Sequence, residues 1–289
     1  MTTVIGMTWK ELLRKKVLMM TLIMTVLFIV VFSFIAQILG KSSDGIPNHD
    51  LIAQFMNGAS ILTLGFFFGS FILAFLIIFS SFSSISGEAE VSMMQAMLTR
   101  PILRWKWYVG RWLGYTLFGI IYALFLYISI VIIANIFATV PQTLIVHIQS
   151  FLLFALTVPV LVTVTFLGAT FFSALGNGVF MTMLYGAGWL GGMVEKLSSS
   201  LDMKPEVARS LYNITGMISL AMPADAIQRK MLAVLLNVEQ LTGMFNIDEQ
   251  MRGRMGVGQV PSTAFIIYTL IYTIILFFWG MRRFYKKDF

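Results

Sequence analysis

Residues 84–111 read SISGEAEVSMMQAMLTRPILRWKWYVGR and set a patch of charge between two long apolar stretches. Taken as a helix over 86–104, the patch puts Glu88 and Glu90 in the first turn, where carboxylates favour the positive end of the helix dipole. Arg100 falls in the last turn, where cations are favoured. Pro101 is a stop, because it lacks an N–H and disfavours helix at the residue before it. Val91, Met94, Met97 and Leu98 form an apolar stripe between those ends. Three methionines, Met93, Met94 and Met97, make that surface adaptable to a partner. The chemistry on offer is recognition by a short, capped, amphipathic helix. A plainer alternative is that Arg100, Arg104, Lys106 and Arg111 only fix orientation in a membrane. That alternative leaves Glu88 and Glu90 without a purpose.

Bond-making chemistry finds little support elsewhere. There is no cysteine, which excludes disulfides, thiolate metal sites and cysteine nucleophiles. The two histidines, His49 and His147, are far apart and make a poor metal site. The methionines could suggest copper(I), but without cysteine or a nearby histidine they favour packing. No G-x-x-x-x-G-K-[ST] occurs, and the glycine-rich GRMGVG at 253–258 lacks the lysine. No cofactor, ATP or magnesium included, is therefore expected on this chain.

The elements that must carry the patch are membrane helices. Only 11% of the 289 residues are charged, where a soluble domain carries about 25%. Long runs such as Val17–Gly40, Trp112–Val146 and Ile148–Val194 have no acidic or basic side chain. A bilayer core roughly 30 Å thick needs about 20 apolar residues of helix. The pattern predicts an all-α, polytopic membrane protein of one domain, with six spans near 17–39, 58–85, 113–138, 149–173, 177–195 and 262–281. Lys and Arg number four in the N-terminal segment, four in 86–112 and four in the tail, against one in 40–57 and none in 139–148. Short positive loops stay inside, so both termini and 86–112 are expected on the cytoplasmic side of a bacterial plasma membrane. The net charge of +7 reflects these flanks and gives no reason to expect nucleic acid.

The predicted span centres hold no ionisable group. Ion-coupled carriers and proton relays need such groups, and intramembrane proteases and transferases need acids, bases or a metal. Energy is then expected from outside the membrane. Glycines recur four apart at Gly65–Gly69, Gly110–Gly114 and Gly188–Gly192, a spacing that lets helices approach closely. Span five holds many glycines, and a broken or hinged helix fits it. Pro159 is expected to kink span four.

Two flanking segments are amphipathic. In 1–16, Ile5, Trp9, Leu12 and Leu13 share a helical face, and Thr8 and Glu11 have capping-box spacing. This predicts a helix in the cytoplasmic headgroup layer; a floppy basic anchor is the alternative. In 196–261, Val207, Leu211, Ile214 and Ile218 make an apolar stripe after Pro205, and Pro223 separates it from a second helix with Ile227, Met231, Val234 and Leu235. Both are expected on the outer face, lying at the interface or dipping into it.

Glu88, Glu90, Pro101, Arg104 and Arg111, in that order between spans two and three, resemble the pattern of the type-2 ABC transporter permeases, the ABC-2 family. The helix before span one, the six spans, the long segment before span six and the basic tail RRFYKKDF extend the resemblance along the chain. The chain departs from the pattern at Ser92-Met93, where the family often has Gly-Thr. The resemblance implies an exporter's membrane subunit without an ATPase, paired with a second permease subunit as a homo- or heterodimer. Two cytoplasmic ABC ATPase subunits would bind the ATP and magnesium. Glu88, Glu90, Met94, Leu98, Arg100, Pro101 and Arg104 would form the coupling segment that rests on the ATPase. The outer stripe would cap the substrate path. The apolar, aromatic-rich interior suits a hydrophobic or amphiphilic substrate. The rival reading is a non-transporting anchor or assembly factor that docks a partner through 86–112.

Overall fold

The computed structural model describes residues 1–43, 51–85, 103–138, 142–200, 205–237 and 260–286, and among them the protein is helical throughout apart from turns. Among the described residues nine helices follow in order: α1 (Thr2–Arg14), α2 (Lys16–Ser43), α3 (Leu51–Ser81), α4 (Arg104–Phe137), α5 (Leu144–Phe171), α6 (Ala174–Ser200), α7 (Pro205–Ala221), α8 (Ala224–Leu235) and α9 (Thr263–Lys286). Five of them, α2, α3, α4, α5 and α9, are long and apolar enough to cross a membrane. They carry the expected spans 17–39, 58–85, 113–138, 149–173 and 262–281.

The remaining expected span, 177–195, lies within α6. This helix is continuous over 27 residues and is neither broken nor hinged at its glycines. Those glycines dilute its apolar character, which keeps it outside the group of five. Its position is clear from its contacts. Asn177 donates to the Phe82 carbonyl at 2.9 Å, Tyr185 donates to the Ser70 carbonyl at 3.2 Å, and Trp189 stacks on Phe67 at 4.8 Å. Rising numbers on α6 meet falling numbers on α3, so the two run antiparallel side by side.

The centre of the bundle is α5, which packs against α3, α4, α6, α8 and α9. It continues through Pro159 as one helix. The Thr163 hydroxyl donates to the Pro159 carbonyl at 2.6 Å and accepts from Trp112 Nε1 of α4 at 2.8 Å. By contrast α2 shows a broad apolar face outward, with Leu22, Ile23, Val26, Leu27 and Val30 all exposed. A face of that size suits lipid or another protein, not water.

All three four-apart glycine pairs mark helix contacts. A methyl at Gly65 would meet Phe32 of α2 at 2.6 Å, and one at Gly69 would meet Ile130 of α4 at 2.7 Å. Gly110 and Gly114 receive Val4 and Thr8 of α1. Gly188 faces Met222, and Gly192 leaves no room for a methyl beside the Asp225 carboxylate.

Helices α7 and α8 form a hairpin that folds back into the bundle. Helix α7 packs mainly against α6, and α8 mainly against α5. Thr215 and Ile218 of α7 lie over Gly191, and the turn at Met222 reaches the level of Gly188. Eleven of the twelve residues of α8 are buried, all but Val234. Pro223 has no N–H to offer, so the last carbonyls of α7 need other donors. Tyr268 and Tyr272 of α9 supply them, to Leu220 at 2.8 Å and to Ala221 at 2.7 Å. The far end of α8 is held by Gln142, whose side chain donates to the Leu235 carbonyl at 2.9 Å. Inside the hairpin's contact with α6, Asp225 and Arg229 form a buried ion pair at 3.0 Å. Ionisable groups thus lie within the helical body, although none lies at a predicted span centre.

Helix α1 corrects two local expectations. It begins at Thr2, so Thr8 and Glu11 do not form a capping box. Thr8 is buried in mid-helix and its hydroxyl donates to the Val4 carbonyl at 2.9 Å. The buried face is Val4, Thr8 and Leu12, while Leu13 is 64% exposed. The face is rotated from the expected stripe because Gly110 and Gly114 admit a small β-branched side chain more closely than a large one.

Candidate functional site

The expected coupling residues Glu88, Glu90, Met94, Leu98, Arg100 and Pro101 lie outside the described residues. Arg104 is described, and it opens α4. What the structure defines is the frame around that segment: the end of α3 on one side, the start of α4 on the other, and the elements that hold both.

Arg111 is central to this frame. Its side chain is only 5% exposed. A guanidinium stays charged at any ordinary pH, so burial demands a partner. Glu11 of α1 is that partner, through a direct ion pair between Arg111 and the carboxylate. Arg111 also lies over the Trp107 ring, 5.3 Å from its centroid. Glu11 makes a second ion pair, with Lys15, at 2.9 Å. Burial alone would raise the Glu11 pKa, but the charges of Arg111 and Lys15, with their hydrogen bonds, outweigh it and hold the carboxyl below its ordinary value.

Lys15 extends the network to α3. Its ammonium donates to the Ser80 carbonyl at 3.0 Å and reaches Tyr115 Oη of α4 at 3.5 Å. Trp9 adds a further tie to α4, from Nε1 to the Gly114 carbonyl at 3.1 Å. A short amphipathic helix is thereby fastened to both helices that flank 86–102.

A second set of contacts brings in the end of α9. Arg104 donates to the Tyr285 carbonyl at 3.2 Å. Trp107 stacks on Phe284 at 5.3 Å with the rings 11° apart. Asn177, fully buried, donates to the carbonyls of Phe82 and Thr165 at 2.9 and 3.0 Å, joining the residues after α3 to α5 and α6. Helix α1 with the junction to α2, the starts of α4 and α6 and the ends of α3, α5 and α9 therefore meet at one end of the bundle. They carry Lys15, Arg104, Lys106, Arg282, Arg283 and Lys286 with them.

Known families and curated proteins offer no match to this chain in sequence.

At the opposite end, the apolar stripe of α7 is only partly engaged within the chain. Ile218 lies over Gly191, Leu211 is half-buried, and Ile214 is 56% exposed. Val207 is in α7, with its side chain outside the described set. Among the described side chains of this helix, Thr215 and Ser219 are the buried ones.

Sequence reasoning missed Glu11, Lys15 and Asn177 as framework residues. Glu11 is the one acid among five charges in residues 1–16, and that isolation was a usable signal. Nothing local pointed to Asn177 except a strongly polar side chain at the start of an expected span.

Proposed function

We propose that this chain is the membrane subunit of an ABC-2-type exporter, driven by ATP hydrolysis in a separate cytoplasmic subunit. In this reading α6 is the sixth crossing, since it runs beside α3 for much of its length. The end where α1, α4 and α9 meet is cytoplasmic, in keeping with its basic residues. Two ATPase subunits dock on 86–102 of two permease copies, and the α7–α8 hairpin closes the outer end of the path.

One observation carries the reading. Both flanks of 86–102 are held by the same interfacial helix, through Lys15 to Ser80 and through Glu11 to Arg111. A push on the segment would move α1, α3 and α4 together. A segment that only fixed orientation would need no such rigid mounting.

The test is charge reversal at Glu88 and Glu90. Each lysine at a helix N-terminus is unfavourable by about 0.3–1 kcal/mol from the dipole, too little to unfold the membrane domain. The double variant should reach the membrane in normal yield and lose both its copurifying ATPase and export. Normal export with normal ATPase recovery would refute the coupling role. ATPase recovery without any export by the unaltered protein would favour the anchor reading.

A further inference from the structure

A pocket of about 390 Å³ opens between the ends of α5 and α9, lined by Thr170, Trp279, Arg282, Arg283 and Lys286. Three of these five residues are cations. Arg282, Arg283 and Lys286 are all exposed, and among the described residues none pairs with a carboxylate. Like charges gathered in one concavity repel unless something negative sits among them. Arg283 is further fixed in place, its guanidinium 3.7 Å from the centroid of the Phe171 ring.

The same face of α9 continues as apolar surface. Ile271, Ile275, Phe278 and Trp279 are each more than half exposed and lead up to Arg282 and Lys286 at helical spacing. Trp279 touches Phe171 edge-on at 5.9 Å. Tryptophan favours the membrane interface, where one side is apolar and the other wet. Acyl chains would lie along the isoleucines and a negative headgroup would fall among the cations. A free phosphate would use only the cations, with no role for the apolar track.

We propose that this pocket binds the phosphodiester headgroup of an anionic phospholipid, with its acyl chains along the outer face of α9. The site follows from the membrane setting of α9 and does not depend on the transport reading.

The test uses the full chain purified in a neutral detergent. It is titrated with phosphatidylglycerol, or with phosphatidylcholine of the same acyl chains, and bound lipid is counted by native mass spectrometry. Phosphatidylglycerol should be retained in preference. The variant R282Q/R283Q/K286Q should weaken that binding by roughly fivefold per charge removed, the effect of a basic residue near an anionic surface. The variant K10Q/R14Q, which neutralises two exposed cations of α1, should bind as the unaltered protein does. Phosphatidylglycerol with brominated chains should quench a part of the tryptophan fluorescence that Trp279→Phe removes, so the idea stays testable if the triple variant folds poorly. Equal retention of the two lipids would overturn the proposal. So would an equal loss in the α1 control, or displacement of the lipid by inorganic phosphate or glycerol phosphate.

Discussion

Arg111 and Glu11 are 100 residues apart in sequence, yet their pairing decides how the first helix sits. A buried guanidinium that loses its carboxylate loses a hydrogen bond between charged groups, about 1.5–3 kcal/mol. Glu11→Gln should therefore loosen α1 from α4 without unfolding the spans. Backbone hydrogen exchange over 2–14 should speed up roughly tenfold to a hundredfold by the same figure, while Lys10→Gln should leave it unchanged. Acid should act the same way. The Glu11 pKa in the folded protein is below its ordinary value of 4.5, so its contribution is fully present above pH 4.5. That contribution is lost as pH falls through the lower folded value. Protection in α1, taken against the intrinsic exchange rate at each pH, should fall across that window in the unaltered protein and stay flat in Glu11→Gln. Equal acid sensitivity in both would mean that another group holds the helix.

At the scale of elements, the α7–α8 hairpin depends on the glycines of α6. Gly192 has no room for a methyl beside Asp225, whereas Gly186 has nothing within 4 Å of its would-be methyl. Gly192→Ala should destabilise by about 1–3 kcal/mol through overpacking and disturbance of the Asp225–Arg229 pair. Gly186→Ala should be neutral, or stabilising by up to about 1 kcal/mol from helix propensity. Thermal unfolding of the two variants in detergent checks this, and equal losses would contradict the packing. Much of this architecture was legible beforehand. Charge-free apolar runs located the helices, because a bilayer tolerates little else over that length. Glycine spacing located the close contacts. The face of α1 was not legible, because Thr8 is polar and yet buried: its hydroxyl is satisfied within its own helix, and its small size fits Gly114. The depth of α8 was hidden by Asp225, Arg229 and Lys230, whose charges suggest an exposed helix. The first two pair with each other at i, i+4, which lets them enter the interior together.

For the whole molecule, the proposed function carries a topological expectation. In that reading both termini and 86–112 belong to the cytoplasmic side, and the α7–α8 hairpin opens from the other. The chain has no native cysteine, so single cysteines report without background. Placed at Ser42, Ser199 and Ser210 they should react with an impermeant thiol reagent in intact cells, and one at Ser92 should not. Reaction at Ser92 with protection at Ser199 would invert the molecule.

The most direct measurement of the central claim is a site-specific cross-link in living cells. A photoreactive side chain at Met94 should capture a protein whose tryptic peptides contain a G-x-x-x-x-G-K-[ST] loop. The same group at Ile214, exposed at the other end, should not capture it. Failure at Met94 in cells that are actively exporting, or capture of the same ATPase from Ile214, would contradict the account.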